Sequence, residues 1–309
     1  KFDGITFRKY TPKDGLLNHS VKAITQDNSR NLWIGTIDGI HKYDGDYFTS
    51  YTSENGLIDN NITCCSKDKN GSIWFGTNNG ISELTNGAFI NFSTTNGLVA
   101  NEITCIYTAK NNIIWIGTKH GISVFDGTKF ITYTIYNGLI SNTINAITQD
   151  AQNNMWRATP EGICELTNNK FIFYTTQDGL ASNNTSSIIC DYKNTIWVGS
   201  DKGLSEINTN GIKNYTIRKD QNSNLIQYLY EDYEHNLWIG SSAGLFRYRG
   251  NPFTSYGIND GLTNNFIFGI SKDTKNNLWI CSKGGGLYKY NNNTFTEYDT
   301  KNQLPSNNI

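Results

Sequence analysis

The stretch Asn31-Leu-Trp-Ile-Gly-Thr36 decides the fold, because six more versions of it follow along the chain. They are Ser72-Ile-Trp-Phe-Gly-Thr77, Ile113-Ile-Trp-Ile-Gly-Thr118, Asn154-Met-Trp-Arg-Ala-Thr159, Thr195-Ile-Trp-Val-Gly-Ser200, Asn236-Leu-Trp-Ile-Gly-Ser241 and Asn277-Leu-Trp-Ile-Cys-Ser282. All seven tryptophans sit in this phrase, and each is 41 residues from the next (74 − 33, 115 − 74 and onward). A fixed period of this size marks an array whose unit cannot bury its own faces and must stack on its neighbours.

The second copy shows what the unit is. Asn61 to Lys67 is a short apolar run, and Asp68-Lys-Asn-Gly71 is turn chemistry. A second run surrounds Trp74, a third spans Ile81 to Leu84 after Asn78-Asn-Gly80, and Asn86-Gly87 signals a hairpin into a fourth run, Ala88 to Phe92. β-branched and aromatic residues fill the runs, and no ten-residue helical period appears. Four short strands per unit make a propeller blade, so the sequence predicts an all-β, seven-bladed β-propeller of four-stranded antiparallel blades. A β-solenoid fits less well, since its coils are shorter and rarely hold four antiparallel strands.

Bulk properties narrow the function classes. The 26 Lys and Arg nearly balance the 27 Asp and Glu, so no charge excess points to nucleic acid or an anionic membrane surface. The longest apolar runs are far short of a membrane span. The opening residues KFDGITFRKY lack the apolar region of a signal peptide, as a trimmed chain also would. The six cysteines form no CxxC and no metal-like pairing with histidine, and vicinal Cys64-Cys65 on a strand suits two packed thiols better than a disulfide. No two histidines share metal-like spacing, so no metal or cofactor is expected.

Recurring positions read as structural. The tryptophan is expected to wedge between blades, and the glycine two residues on to let a neighbouring blade's aromatic ring come close. The first-turn aspartates (Asp27, Asp68, Asp150, Asp191, Asp232, Asp273) suggest turn-bonding acceptors rather than calcium ligands, which would have to converge. The asparagines Asn60, Asn101, Asn142, Asn183, Asn224 and Asn265 read as turn formers rather than ligand contacts.

The phrase running from Asp27 to Leu57, D-x-x-x-N-L-W-I-G-T-x-x-G-I-x-x-Y-D-G-x-x-F-x-x-Y-T-x-x-x-G-L, resembles the two-component-regulator propeller repeat over essentially the whole chain. That resemblance implies the extracytoplasmic sensor region of a bacterial hybrid histidine kinase, periplasmic or extracellular. The implied role is a non-enzymatic input module for a small polar ligand such as an oligosaccharide. Its partners would be an adjacent propeller or membrane-proximal domain, with no nucleic acid and no direct membrane insertion. Similar repeats in a Bacteroidetes secretion system imply a surface protein–protein scaffold instead, and the related propeller of streptogramin lyases implies an enzyme.

Residues that leave the repeat are the candidates for ligand contact. The connections between second and third strands (Ile37-Asp38, Asn78-Asn79, Lys119-His120, Pro160-Glu161, Asp201-Lys202, Ser242-Ala243, Lys283-Gly284) vary and mix charges, as a ligand surface or an idle loop would. His19 and His120 are placed on this rim and His41 and His235 away from it. A lyase-like pair would have to be His120 with Glu161. Arg157 stands where other copies carry Ile, Phe or Val, so its charge is either met by backbone or by an acid such as Glu161 or Glu165, or used on a ligand. Copy six loses the usual Gly-Leu and carries Tyr228 and Tyr230 on its inner strand. The candidate ligand-binding residues are therefore Arg157, Glu161, His120, Lys202 and Tyr228, with Tyr228 as a stacking face. Residues 1–309 are read as one propeller, with 294–309 leading toward a further repeat or second propeller. Ile5–Tyr10 is expected to pair with Leu287–Tyr290 and close the ring, since this removes two sheet edges.

Overall fold

The computed structural model of the chain describes residues 21–44, 47–216, 225–232, 234–250, 253–257, 260–272, 277–291 and 294–299. The fold is a seven-bladed β-propeller: seven four-stranded antiparallel sheets, each with its strands side by side in chain order. Blade two is typical, with strands Ile62–Lys67, Ile73–Thr77, Ile81–Thr85 and Ala88–Phe92. The described residues form two compact units, one reaching to Gln149 and one starting at Asp150. The first contains blades one to three, and the second contains blades five to seven with the last three strands of blade four.

Burial explains the pattern. The second strands of blades two to six are buried along their whole length, while the outer strands alternate between exposed and half-buried residues. The core lies between blades. Trp33 and Ile40 of blade one pack with Ile62, Ile73 and Phe75 of blade two, and Trp197 and Leu204 of blade five with Ile226, Leu237 and Ile239 of blade six. Six of the tryptophans are at most 7% exposed, and the rings of four of them meet an aromatic of the next blade: Trp33 with Phe75 at 6.0 Å, Trp74 with Phe125 at 5.6 Å, Trp197 with Tyr248 at 5.2 Å and Trp238 with Tyr290 at 5.2 Å. The wedge expected from the repeat is present.

The glycine two residues after tryptophan has a different neighbour from the one expected. A Cβ on Gly35, Gly76, Gly117, Gly199 or Gly240 would stand within 3.0 Å of an isoleucine side chain at the start of the next blade's inner strand or just before it (Ile62, Ile103, Ile144, Ile226 and Ile267). An aliphatic branch, not an aromatic ring, uses the gap. Blade four has Ala158 there and Thr185 in place of the isoleucine, both fully buried, and the Thr185 hydroxyl donates to the Thr159 carbonyl at 2.7 Å. The added methyl is thus matched by a smaller, hydrogen-bonded neighbour.

The first-turn aspartates do more than hold their turn. Asp68 Oδ1 accepts the Ser72 N–H at 2.9 Å and Oδ2 accepts the Trp74 indole N–H at 3.1 Å. The same indole bond recurs at Asp27–Trp33, Asp150–Trp156, Asp191–Trp197 and Asp232–Trp238. No cluster of potential metal ligands occurs among the described residues. The asparagines likewise stay within the fold. Asn60, Asn101, Asn142 and Asn183 each accept a backbone N–H seven residues earlier at 2.7–2.8 Å.

At the end of blade seven, Thr294–Tyr298 pairs with Gly286–Asn291, from Leu287 with Tyr298 to Asn291 with Thr294. The other side of that third strand pairs with the second strand. Both of its edges are occupied, so the expected pairing with Ile5–Tyr10 is not made. A two-residue hairpin closes at far less entropic cost than a contact spanning the chain. Ile5–Tyr10 itself, like residues 300–309, lies outside the described residues.

Candidate functional site

In blades two, three and five the connection between the second and third strands meets the loop leading into the first strand at one edge of the blade. In blade two the Asn79 amide donates to Asp59 at 3.0 Å, and in blade three Lys119 pairs with Glu102 at 3.0 Å. In blade five the Asp201 N–H donates to the Asn184 carbonyl at 3.3 Å. The Lys119–Glu102 pair is more than half exposed, and such pairs contribute little to stability. The hydrogen bond and charge of Lys119 hold the Glu102 carboxyl below its ordinary value.

On this edge the repeat fixes a backbone and varies a side chain. In blades one to six the second strand ends in Thr or Ser, whose hydroxyl donates to the carbonyl of the glycine before or at the start of the third strand, as Thr118 does to Gly121 at 2.8 Å. The same hydroxyl accepts the N–H two residues on, from His120 at 2.9 Å, Glu161 at 3.1 Å and Lys202 at 3.3 Å. The following glycine takes a φ of 123° to 134° (Gly121, Gly162, Gly203), a conformation costly for other residues. Asp38, Asn79, His120, Glu161, Lys202 and Ala243 therefore occupy one structural column, held alike and chemically different. The side chains of His120, Glu161 and Lys202 are exposed. Those of Glu161 and Lys202, neighbours in the series and within one compact unit, are engaged in no hydrogen bond or ion pair among the described residues.

Tyr228 is not in this column but is near the same edge of its blade, since its partner Gly240 precedes the last residue of the second strand. It is on the inner strand of blade six opposite Gly240, where other blades place Ala23, Cys64, Cys105, Ser187 or Gly269. A ring in a column of small residues has no room against the sheet, and Tyr228 is 40% exposed.

Arg157 is separate from the exposed column. It is fully buried, its Nη1 donates to the Met155 carbonyl at 3.4 Å, and its guanidinium lies 5.6 Å from the Phe171 ring centre. Met155 opens the second strand and the variable connection follows its end, so this bond points the guanidinium away from that edge. Glu165 is on the opposite face of the sheet, since it pairs with Trp156 while Arg157 pairs with Cys164. The Glu165 carboxylate accepts the Tyr174 hydroxyl at 3.0 Å, and burial pushes its pKa up. His41 is buried on the third strand, 2.9 Å from the Ser50 hydroxyl, and His235 is in a turn between first and second strands, so both are off this edge as expected. His19 lies outside the described residues.

Sequence reasoning missed the column of third-strand hydroxyls behind this edge. Ser82, Ser123 and Ser205 accept the N–H of Ile58, Val99 and Ala181, which pins the loop leading into each blade. In blade seven the Tyr288 hydroxyl does this for Thr263 at 2.9 Å. The recurrent serine was visible as a repeated letter, but its partner 24 residues earlier was not.

The Two component regulator propeller family matches residues 15–38, 56–79, 97–120, 220–243 and 261–284. The two repeats it passes over include the one with Arg157 and Ala158. No curated protein sequence matches the chain significantly. Among solved structures, the chain is similar to the extracellular domain of the hybrid two component system BT3049 from B. thetaiotaomicron (TM-score 0.59, 19% identity, 96% of this chain and 55% of that one). A similar likeness holds to the extracellular domain of BT4673 from the same organism (TM-score 0.64, 21% identity, 92% and 49%). The chain thus spans about half the length of these relatives. Virginiamycin B lyase from Staphylococcus aureus shares the fold at TM-score 0.67 and 18% identity, over 85% of this chain and 91% of the enzyme. No helix among the described residues is long and apolar enough to cross a membrane. Five of the seven repeats that build this propeller match the two component regulator propeller repeat.

Proposed function

We propose that the protein is a non-enzymatic, extracytoplasmic input module of a bacterial two-component signalling protein that takes a polar ligand, an oligosaccharide, on its variable edge. One observation carries the reading. Glu161 and Lys202 occupy a column whose backbone is fixed by the repeat, yet their exposed side chains have no structural bond to maintain. In a repeat array, variation confined to a rigid, exposed position is what a ligand without repeat symmetry requires. In this role Glu161 accepts hydroxyl groups, Lys202 engages polar or anionic groups, and Tyr228 offers a stacking face. Arg157 is left to the core by its burial.

The test is calorimetry against a panel of neutral and anionic oligosaccharides. Glu161→Gln, Lys202→Ala and Tyr228→Leu should each weaken binding about tenfold, or about 1.4 kcal/mol. Arg157→Met should bind as the parent does. Full-strength binding by both Glu161→Gln and Lys202→Ala would refute the column as the site, and turnover of a bound ligand would refute the non-enzymatic reading.

A further inference from the structure

Away from the variable edge, blade five has a cavity of about 340 Å³ on its Trp197 face, closed on one side by Tyr248 of blade six. Its polar wall is the pair Glu206 and Lys213, which stand opposite each other on the third and outer strands. Where this third-strand position is Glu in blades two and four, the outer-strand partner is isoleucine (Glu83 with Ile90, Glu165 with Ile172). Blade five alone of these three sets a carboxylate against an ammonium.

The two charges do not meet. Glu206 accepts the Tyr215 hydroxyl on one oxygen, at 2.5 Å, and the Asn208 amide on the other, at 2.8 Å. Lys213 Nζ instead lies 4.7 Å from the centre of the Tyr215 ring. The Tyr215 and Tyr248 rings are 5.8 Å apart at 55°, and Asn208 and Asn210 border the opening. Burial, and next the Glu206 carboxylate, push the Tyr215 phenol pKa up, so it remains a hydrogen-bond donor at neutral pH. In blade four the matching Glu165–Tyr174 pair is sealed, with Glu165 only 7% exposed, whereas Glu206 is half-buried and opens to the cavity.

This arrangement discriminates by charge. A ligand ammonium attracted by Glu206 is repelled by Lys213, and a ligand carboxylate or phosphate attracted by Lys213 is repelled by Glu206, so neither sign of charge gains a net attraction there. A neutral hydroxylated ring satisfies both walls, because a hydroxyl accepts from Lys213 or an asparagine amide and donates to a remaining lone pair of Glu206. Its C–H face packs on a tyrosine ring. The volume is at the small end for ligand sites and suits one ring rather than a chain.

We propose that the cavity bounded by Glu206, Asn208, Lys213, Tyr215 and Tyr248 is a second binding site, for a single neutral pyranose ring, independent of the variable edge. Saturation-transfer NMR with glucose, galactose, mannose and N-acetylglucosamine as probes tests it, with glucosamine and glucuronate as charged controls. At least one neutral sugar should receive saturation. Tyr248→Leu and Lys213→Met should each weaken that binding about tenfold, and Lys170→Met, an exposed change on the outer strand of blade four, should not change it. Lys213 is exposed, so its variant keeps the fold even if Tyr248→Leu loosens the Trp197 cluster. The proposal is overturned if no neutral sugar is contacted, if Lys213→Met binds like the parent, or if the charged sugars bind equally well.

Discussion

Truncating Asp68 to alanine should destabilise the protein by about 2–4 kcal/mol. The carboxylate is 6% exposed and serves two donors, the Ser72 N–H at 2.9 Å and the Trp74 indole N–H at 3.1 Å, on residues themselves 7% and 2% exposed. Left without a partner, each buried donor costs about 1–3 kcal/mol. Relief of the desolvation of Asp68 offsets part of this, which keeps the total below the sum of the two maxima. Asp68→Asn should lose less, since its oxygen can keep one donor while its amide faces the other. Blade three supplies a comparison, because Ala109 stands at the aspartate position and Asn111 accepts the Ile113 N–H at 3.3 Å. Asn111→Ala should therefore cost only about 0.5–1.5 kcal/mol, the value of one neutral bond. Urea unfolding followed by tryptophan fluorescence measures all three. An Asp68→Ala midpoint corresponding to less than about 0.5 kcal/mol, the scatter of ordinary surface substitutions, would refute the argument that the aspartates bear the tryptophan layer.

Gly76→Ala would place a Cβ 2.5 Å from Cys64 Sγ and 2.7 Å from Ile103 Cγ2, and should cost about 1–3 kcal/mol in the same assay. Adding Ile103→Thr, which copies the Ala158–Thr185 pairing of blade four, should recover part of that loss. Glu165 has its pKa raised by burial, so the folded protein holds this proton more tightly than the unfolded chain does. Its stabilising contribution is complete below the ordinary glutamate value and is lost as pH rises through the raised one. Glu165→Gln, which can still accept from Tyr174, should raise the melting temperature at neutral pH, with the gain shrinking toward zero below the ordinary value. Burial pushes the thiols of Cys65 and Cys105 up to about 12 and that of Cys281 up to about 11, and raises Cys64 further. These four should resist iodoacetamide at mildly alkaline pH and react once urea unfolds the chain; rapid labelling of the folded protein by mass spectrometry would contradict this.

The sequence alone determined the blade count, the four-strand unit and the role of tryptophan. A repeat states the same local problem seven times, and alternation, turn residues and period all give one solution. The column of His120, Glu161 and Lys202 was also legible, because deviations stand out against a constant frame. Tertiary structure decided the matters that depend on partners distant in sequence. Isoleucine rather than an aromatic ring faces the glycine at Gly35 and its equivalents, since a gap visible in one blade does not say what the next blade inserts. The indole bonds of the aspartates join two segments whose separate turn and strand signals did not predict contact. The depth of Arg157 and the local pairing of Thr294–Tyr298 belong to the same class. An apolar column makes a charge look available for function, but only packing shows which way the side chain points. Likewise two strands of equal pattern compete for one edge, and the shorter loop wins because it orders less chain.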